Sequence, residues 1–179
     1  MAMMRIILCL LCALALLPVA LAEDVLLDGT VTWEQVSAWL GEGVEKTTDD
    51  MGDYGVVEAI SKQNADCFGL DCAVTVIGYD GELAMIAAYF NSDVQTVRDR
   101  LTQTYGAPVE RKGMALEDLI PGNDTKRVCD WKPDDNTEII FYDYSAVKDY
   151  PYLCGFSVTN RRVYDEMEHA ALAYYETDD

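Results

Sequence analysis

The stretch Cys72–Phe90, CAVTVIGYDGELAMIAAYF, constrains this chain more than any other. Two apolar runs flank Tyr79-Asp80-Gly81, and an Asp-Gly step between alternating apolar residues is a strong hairpin signal. In the second run, Leu83, Met85, Ala87 and Tyr89 share one face, and Ala84, Ile86, Ala88 and Phe90 share the other. Both faces are apolar, which suits a strand in the middle of a sheet. The fold must therefore bury an antiparallel hairpin on both sides.

The remaining elements read around that hairpin. TVTWEQVSAWLGEG is a helix. Thr32 caps it, Gln35 completes a capping box, Trp33, Val36 and Leu40 form its apolar face, and Gly41 stops it. EKTTDDMGDYG is polar throughout and reads as a loop, and Gly55–Ile60 as a short strand. SDVQTVRDRLTQTYGAP is the clearest helix, with Ser92 as its cap, Val94, Val97, Leu101 and Tyr105 as its stripe, and Gly106 and Pro108 as its stop. MALEDLIPGNDT is a linker. KRVCDW, TEIIFYDYS and YLCGFSVT are strand-like, with KPDDN as a turn, and a last helix runs from about Arg161 to Tyr175.

The order α-β-β-β-α-β-β-β-α predicts an α+β fold. We expect an antiparallel sheet of about six strands, helices packed on one face, tandem α-β-β-β units and a C-terminal helix. Residues 1–22 read as a cleaved signal peptide: Arg5 in a short n-region, an apolar stretch from Ile6 to Leu17, and a small-x-small site at Ala20–Ala22. Residues 23–179 then form a single α+β domain with pseudo-repeats at about 23–91 and 92–179. The expected location is secreted, extracellular or in the cell envelope, with no stable membrane insertion after cleavage.

The residues TWEQV and LGE at the ends of the first helix, YDGELAMIAAYF, the helix-ending YGAP and WKPDDNTEII resemble small exported proteins of gut Firmicutes. The tandem helix-then-strands plan also resembles the architecture of the beta-lactamase inhibitory protein and outer-membrane assembly lipoprotein group. That resemblance implies protein binding without catalytic residues. Unlike the assembly lipoproteins, the chain has no lipidation cysteine, which speaks against a membrane tether.

Thirty-two acidic residues against 13 lysines and arginines give a net charge of −19. Such a chain repels nucleic acid and anionic membrane, and favours a basic partner or simply solubility. Of six cysteines, Cys9 and Cys12 fall in the signal peptide. An even remainder in an exported chain suggests disulfides, for which we favour Cys67–Cys72 and Cys129–Cys154, with buried free thiols as the rival.

Catalytic patterns are weak. His169 is the single histidine, and Glu166 three residues earlier gives one Glu-x-x-His where a di-metal site needs two. Ser61, Ser145 and Ser157 lack a nucleophile elbow. Asp66 and Asp71 beside Cys67 and Cys72 disfavour a thiolate. Asp49, Asp50 and Asp53, and likewise Asp134, Asp135 and Asn136, could hold calcium through oxygen ligands, but neither group fits the EF-hand spacing and the favoured reading is a solvated turn. No phosphate loop or dinucleotide fingerprint occurs, and no cofactor is expected.

FYDYSAVKDYPY is the most suggestive segment. Tyr142, Tyr144, Tyr150 and Tyr152, with Asp143 and Asp149 for polarity, suit recognition of a protein or peptide on an open sheet face. The leading expectation is a secreted, non-enzymatic binding module whose partner is an unknown protein or peptide, possibly a basic one. An exported hydrolase using surface carboxylates and a structural part of an envelope assembly are the alternatives.

Overall fold

The structure is a computed structural model that describes residues 31–110 and 126–176. The expected signal peptide, residues 1–22, and the linker Met114–Thr125 lie outside the described residues. The chain forms α1 (Trp33–Leu40), β1 (Glu45–Asp50), a short 3-10 turn (Gly52–Tyr54), β2 (Val56–Cys67), β3 (Leu70–Tyr79) and β4 (Glu82–Phe90). There follow α2 (Val94–Tyr105), β5 (Val109–Glu110), β6 (Lys126–Trp131), β7 (Thr137–Asp143), β8 (Cys154–Asn160) and α3 (Arg161–Glu176).

All described strands join one open antiparallel sheet in the order β1-β2-β3-β4-β8-β7-β6-β5. Each unit is a helix followed by a four-stranded meander. The last strands of the two meanders, β4 and β8, meet at the centre of the sheet, Ala88 opposite Phe156. The sheet therefore has eight strands, not about six. The two extra strands, β1 and β5, are its edges. Every residue of both is exposed, so neither carries the alternation that marks a half-buried strand. The acidic EKTTDD of β1 also guards an open edge against pairing with another chain.

Local signals explain most boundaries. Thr32 and Gln35 form the expected capping box of α1. At α2 the cap is Asp93, one residue beyond Ser92, and its side chain accepts from the Thr96 N–H at 3.1 Å. Asp80 and Gly81 both have positive φ, +48° and +78°, which makes the β3–β4 connection a two-residue turn matched to strand twist. Asp80 also reaches out of its turn, its Oδ1 accepting from the Val56 N–H at 2.8 Å. Phe68 and Gly69 form the equivalent turn between β2 and β3.

One face of the sheet holds the core. Val36 and Leu40 of α1 and Val97 and Leu101 of α2 are buried with Val74, Val76, Ile86, Phe90, Ile139, Phe141 and Phe156. Each fully buried side chain of this size contributes roughly 1.5–3 kcal/mol. A register shift at Ile77/Gly78 turns Leu83 onto this core face, away from Met85 and Ala87. Trp33 lies so close over Gly78 that a Cβ there would sit 2.8 Å from its ring. Lys62 donates to the Leu40 carbonyl, closing the end of α1 with a cation. The Trp131 indole N–H donates to the Gly106 carbonyl at 2.9 Å and pins the end of α2 to β6.

The expectation of helices on one face fails for α3. It packs against β3, β4 and β8, and its Tyr164, Met167 and Leu172 line a groove with Val57. Val57 points away from the core-facing Ile60, so α3 lies on the opposite face, over the first meander. Arg162 pairs with Glu82 at 2.7 Å and Arg161 with Glu138 at 3.6 Å, which fixes how the helix leaves β8. The second meander is left without a helix on that face among the described residues.

The cysteine expectation is also corrected: Cys67, Cys72, Cys129 and Cys154 are free and buried. Cys129 is on β6 and Cys154 on β8, with β7 between them. Two inter-strand spacings make about 10 Å, beyond the roughly 7 Å a disulfide spans. Cys67 pairs with Leu70 and Cys72 with Ala65, so these two are diagonal neighbours across a tight hairpin. Their thiols touch, but no bond joins them. The Cys72 thiol donates to the Ala65 carbonyl at 3.5 Å instead.

Candidate functional site

Beside α3, on the same face of the sheet, five tyrosines stand in mutual contact. On β4, β8 and β7, Tyr89, Gly155 and Tyr142 stand side by side in register. Tyr144 follows just beyond β7. Its N–H donates to the Leu153 carbonyl at 2.9 Å, while the Leu153 N–H donates to the Phe90 carbonyl at 2.8 Å. These bonds tie the base of the β7–β8 loop to the sheet. Within it, Asp143 Oδ1 accepts from the Ser145 N–H at 2.8 Å, and the Val147 N–H donates to the Tyr144 carbonyl. The loop thereby returns Tyr150 and Tyr152 over the sheet.

The rings form a continuous set. Tyr142 stacks on Tyr144 with centroids 6.0 Å apart, Tyr144 meets Tyr150 at 4.7 Å, and Tyr150 meets Tyr152 edge-on at 6.0 Å. Tyr89 closes the set, 5.5 Å from Tyr152 and 6.3 Å from Tyr144. Separations of this kind contribute beyond area burial, roughly 0.5–1.5 kcal/mol per pair. Gly155 makes room for them, since a Cβ there would lie 3.1 Å from Tyr144 and 3.2 Å from Tyr89. The Tyr152 hydroxyl donates to Gln63 Oε1 at 3.2 Å and so joins the loop to β2.

Tyr89, Tyr142, Tyr144 and Tyr152 are half-buried, while Tyr150 and Leu153 stand out at 40% and 43% exposure. Burial raises the phenol pKa values of Tyr89, Tyr144 and Tyr150, and neighbouring phenols raise them further. Those three phenols therefore stay neutral across the physiological range. The arrangement offers flat apolar faces and hydroxyls.

All four tyrosines singled out in the sequence thus come together. The aspartates do not join them in the same way. Asp143 alternates to the other face, where it raises the Cys154 thiol, and Asp149 sits exposed in the loop at φ +60°. Tyr89 was missed. It lies more than fifty residues from the tyrosine-rich segment, and only the β4–β8 pairing brings it there. Its one sequence signal is its position at the end of an otherwise aliphatic strand face.

The other candidates separate. His169 Nδ1 lies 2.6 Å from the Asp165 carbonyl of its own helix, and Glu166 pairs with Arg162. The Ser61 hydroxyl faces Thr75, and Ser145 is taken up in the Asp143 turn. Asp134 accepts from the Asn136 and Thr137 N–H groups and the Thr137 hydroxyl, which lowers its pKa and commits it to the turn. Asp50 similarly accepts from the Gly52 N–H. Among the described residues no His, Cys, Asp and Glu side chains group to hold a metal ion, and no helix is long and apolar enough to cross a membrane.

Compared with described protein families, curated proteins and solved structures, the chain finds no match.

Proposed function

We propose that this is an exported, non-catalytic recognition module, and that its tyrosine face docks a basic protein or peptide. The observation that carries this reading is the five-ring set Tyr89–Tyr142–Tyr144–Tyr150–Tyr152, held on a rigid sheet and left without a covering helix among the described residues. Tyrosine supplies large contact area at low entropic cost, which favours recognition over catalysis. Exposed Asp149 and Asp71 belong to the loop and to the strand beside the rings, and the net charge of −19 steers cations toward them. Arginine suits such a face best, because its guanidinium stacks on aromatic rings while pairing with carboxylates. Protein binding is also what the resemblance to the inhibitory-protein group implies.

The test is titration of the full chain with a hydrophilic arginine-rich peptide, read by tyrosine chemical shifts. Tyr150→Ala and Tyr152→Ala should each weaken binding by about tenfold, the scale of an interface hot spot. Shifts confined to residues away from the five rings would sink the reading.

A further inference from the structure

A second surface differs in both composition and location. Between α3 and the β1–β2 edge runs a groove of about 370 Å³, lined by Met51, Val57, Met167, Ala171, Leu172 and Tyr175. Its floor is buried, with Met51 only 2% exposed, while Leu172 and Tyr175 stand 58% and 60% exposed. Two large apolar side chains held in water beside an apolar cleft mark a surface suited to docking. The methionines add side chains that adapt to different anchors.

The charge around this groove has one sign. Asp49 of β1 and Glu168 of α3 line it, and neither forms an ion pair among the described residues. The cations of α3, Arg161 and Arg162, lie in its first turn and are neutralised by Glu138, Asp165, Glu82 and Glu166. The last turn carries no basic residue, and the carbonyl end of the helix adds its own partial negative charge. His169 is held to its own helix backbone. On β1, Glu45 shares the groove-side face with Asp49, while Lys46 alternates to the other.

From this complementarity we propose that the groove between α3 and the β1–β2 edge binds a cationic amphipathic segment of a partner protein. An apolar anchor enters between Met51, Met167 and Leu172, and flanking Lys or Arg residues meet Asp49 and Glu168. A second copy of this chain fits poorly, since the same acidic rim would face itself. The site is separate from the tyrosine face and does not depend on it.

The probe is a synthetic Lys/Leu amphipathic peptide, with a Glu/Leu peptide of the same pattern as control, titrated into the full chain by calorimetry. The Lys/Leu peptide should bind, with affinity falling as salt rises. Leu172→Asp and Glu168→Lys should each weaken it by about tenfold, and Tyr150→Ala should leave it unchanged. Both substituted side chains are exposed, so loss of binding is not loss of fold, which circular dichroism checks. Absence of binding, equal binding of the Glu/Leu peptide, or affinity indifferent to both substitutions overturns the proposal. Dimers in sedimentation that disappear in Leu172→Asp would also overturn it, in favour of self-association.

Discussion

Gly155 and the ring of Tyr144 occupy adjoining space in the centre of the sheet, with only 3.1 Å between the ring and the position a Cβ on residue 155 would take. The same Cβ would lie 2.8 Å from the Ala88 carbonyl oxygen, a backbone atom that cannot swing aside. Gly155→Ala should therefore destabilise the protein by about 1–3 kcal/mol, the usual cost of overpacking. Urea unfolding measures this, and near-ultraviolet circular dichroism should show the tyrosine signal altered in the folded state. An unchanged unfolding midpoint would mean that the rings are not seated over residue 155.

Burial and neighbouring phenols raise the folded-state pKa values of Tyr89, Tyr144 and Tyr150 above the ordinary value of 10.0. The unfolded chain then loses phenol protons at lower pH than the folded one. Stability from these groups is fully present below pH 10 and is lost as pH rises past it. Phenolate absorbance in the native protein should lag behind that of the urea-unfolded chain. Tyr144→Phe should flatten the alkaline fall in stability, while an identical slope in variant and parent would count against a buried Tyr144.

All four cysteines of the described residues are buried, and burial pushes the thiols of Cys129 and Cys154 up to about 11 and about 12. Burial and the Cys72 thiol raise Cys67 as well, the contact with Cys72 being the larger cause. At pH 8 none should react with an alkylating agent in the native protein, because all four are buried away from the reagent and the raised thiols of Cys67, Cys129 and Cys154 lack the reactive thiolate. In urea without reductant, Cys67, Cys72, Cys129 and Cys154 should all label. A pair that labels in urea only after reduction would establish a disulfide between its members.

The central hairpin, the capping box of α1 and the tyrosine-rich segment were all legible in the sequence. Each signal is local: a period of two, an Asp-Gly turn, or a threonine three residues before a glutamine. The edge strands were not legible. Glu45–Asp50 and Val109–Glu110 bury nothing, so their side chains show no period, and only backbone pairing with β2 and β6 makes them strands. The bulge that turns Leu83 inward likewise leaves no mark in the residue pattern.

The disulfide expectation failed for a related reason. Cysteine count and export suggest bridging, but whether two cysteines meet depends on strand order. Placing β7 between β6 and β8 keeps Cys129 and Cys154 apart.

By itself the sequence determined the central hairpin with its Asp80-Gly81 turn, the cap of α1, the stripe of α2, and that tyrosines concentrate at the end of β7 and in the loop after it, whereas β2 runs on past Ile60 to Cys67. Hydrophobic period and turn chemistry act over a few residues, so they are written where they operate. Tertiary structure alone decided that β4 and β8 pair at the centre, that α3 packs mainly over the first meander, and that Tyr89 completes the ring set. Those outcomes depend on which apolar faces cover one another across long separations in the chain. No local pattern encodes that choice, because each face is apolar in the same way and only their joint packing distinguishes the partners.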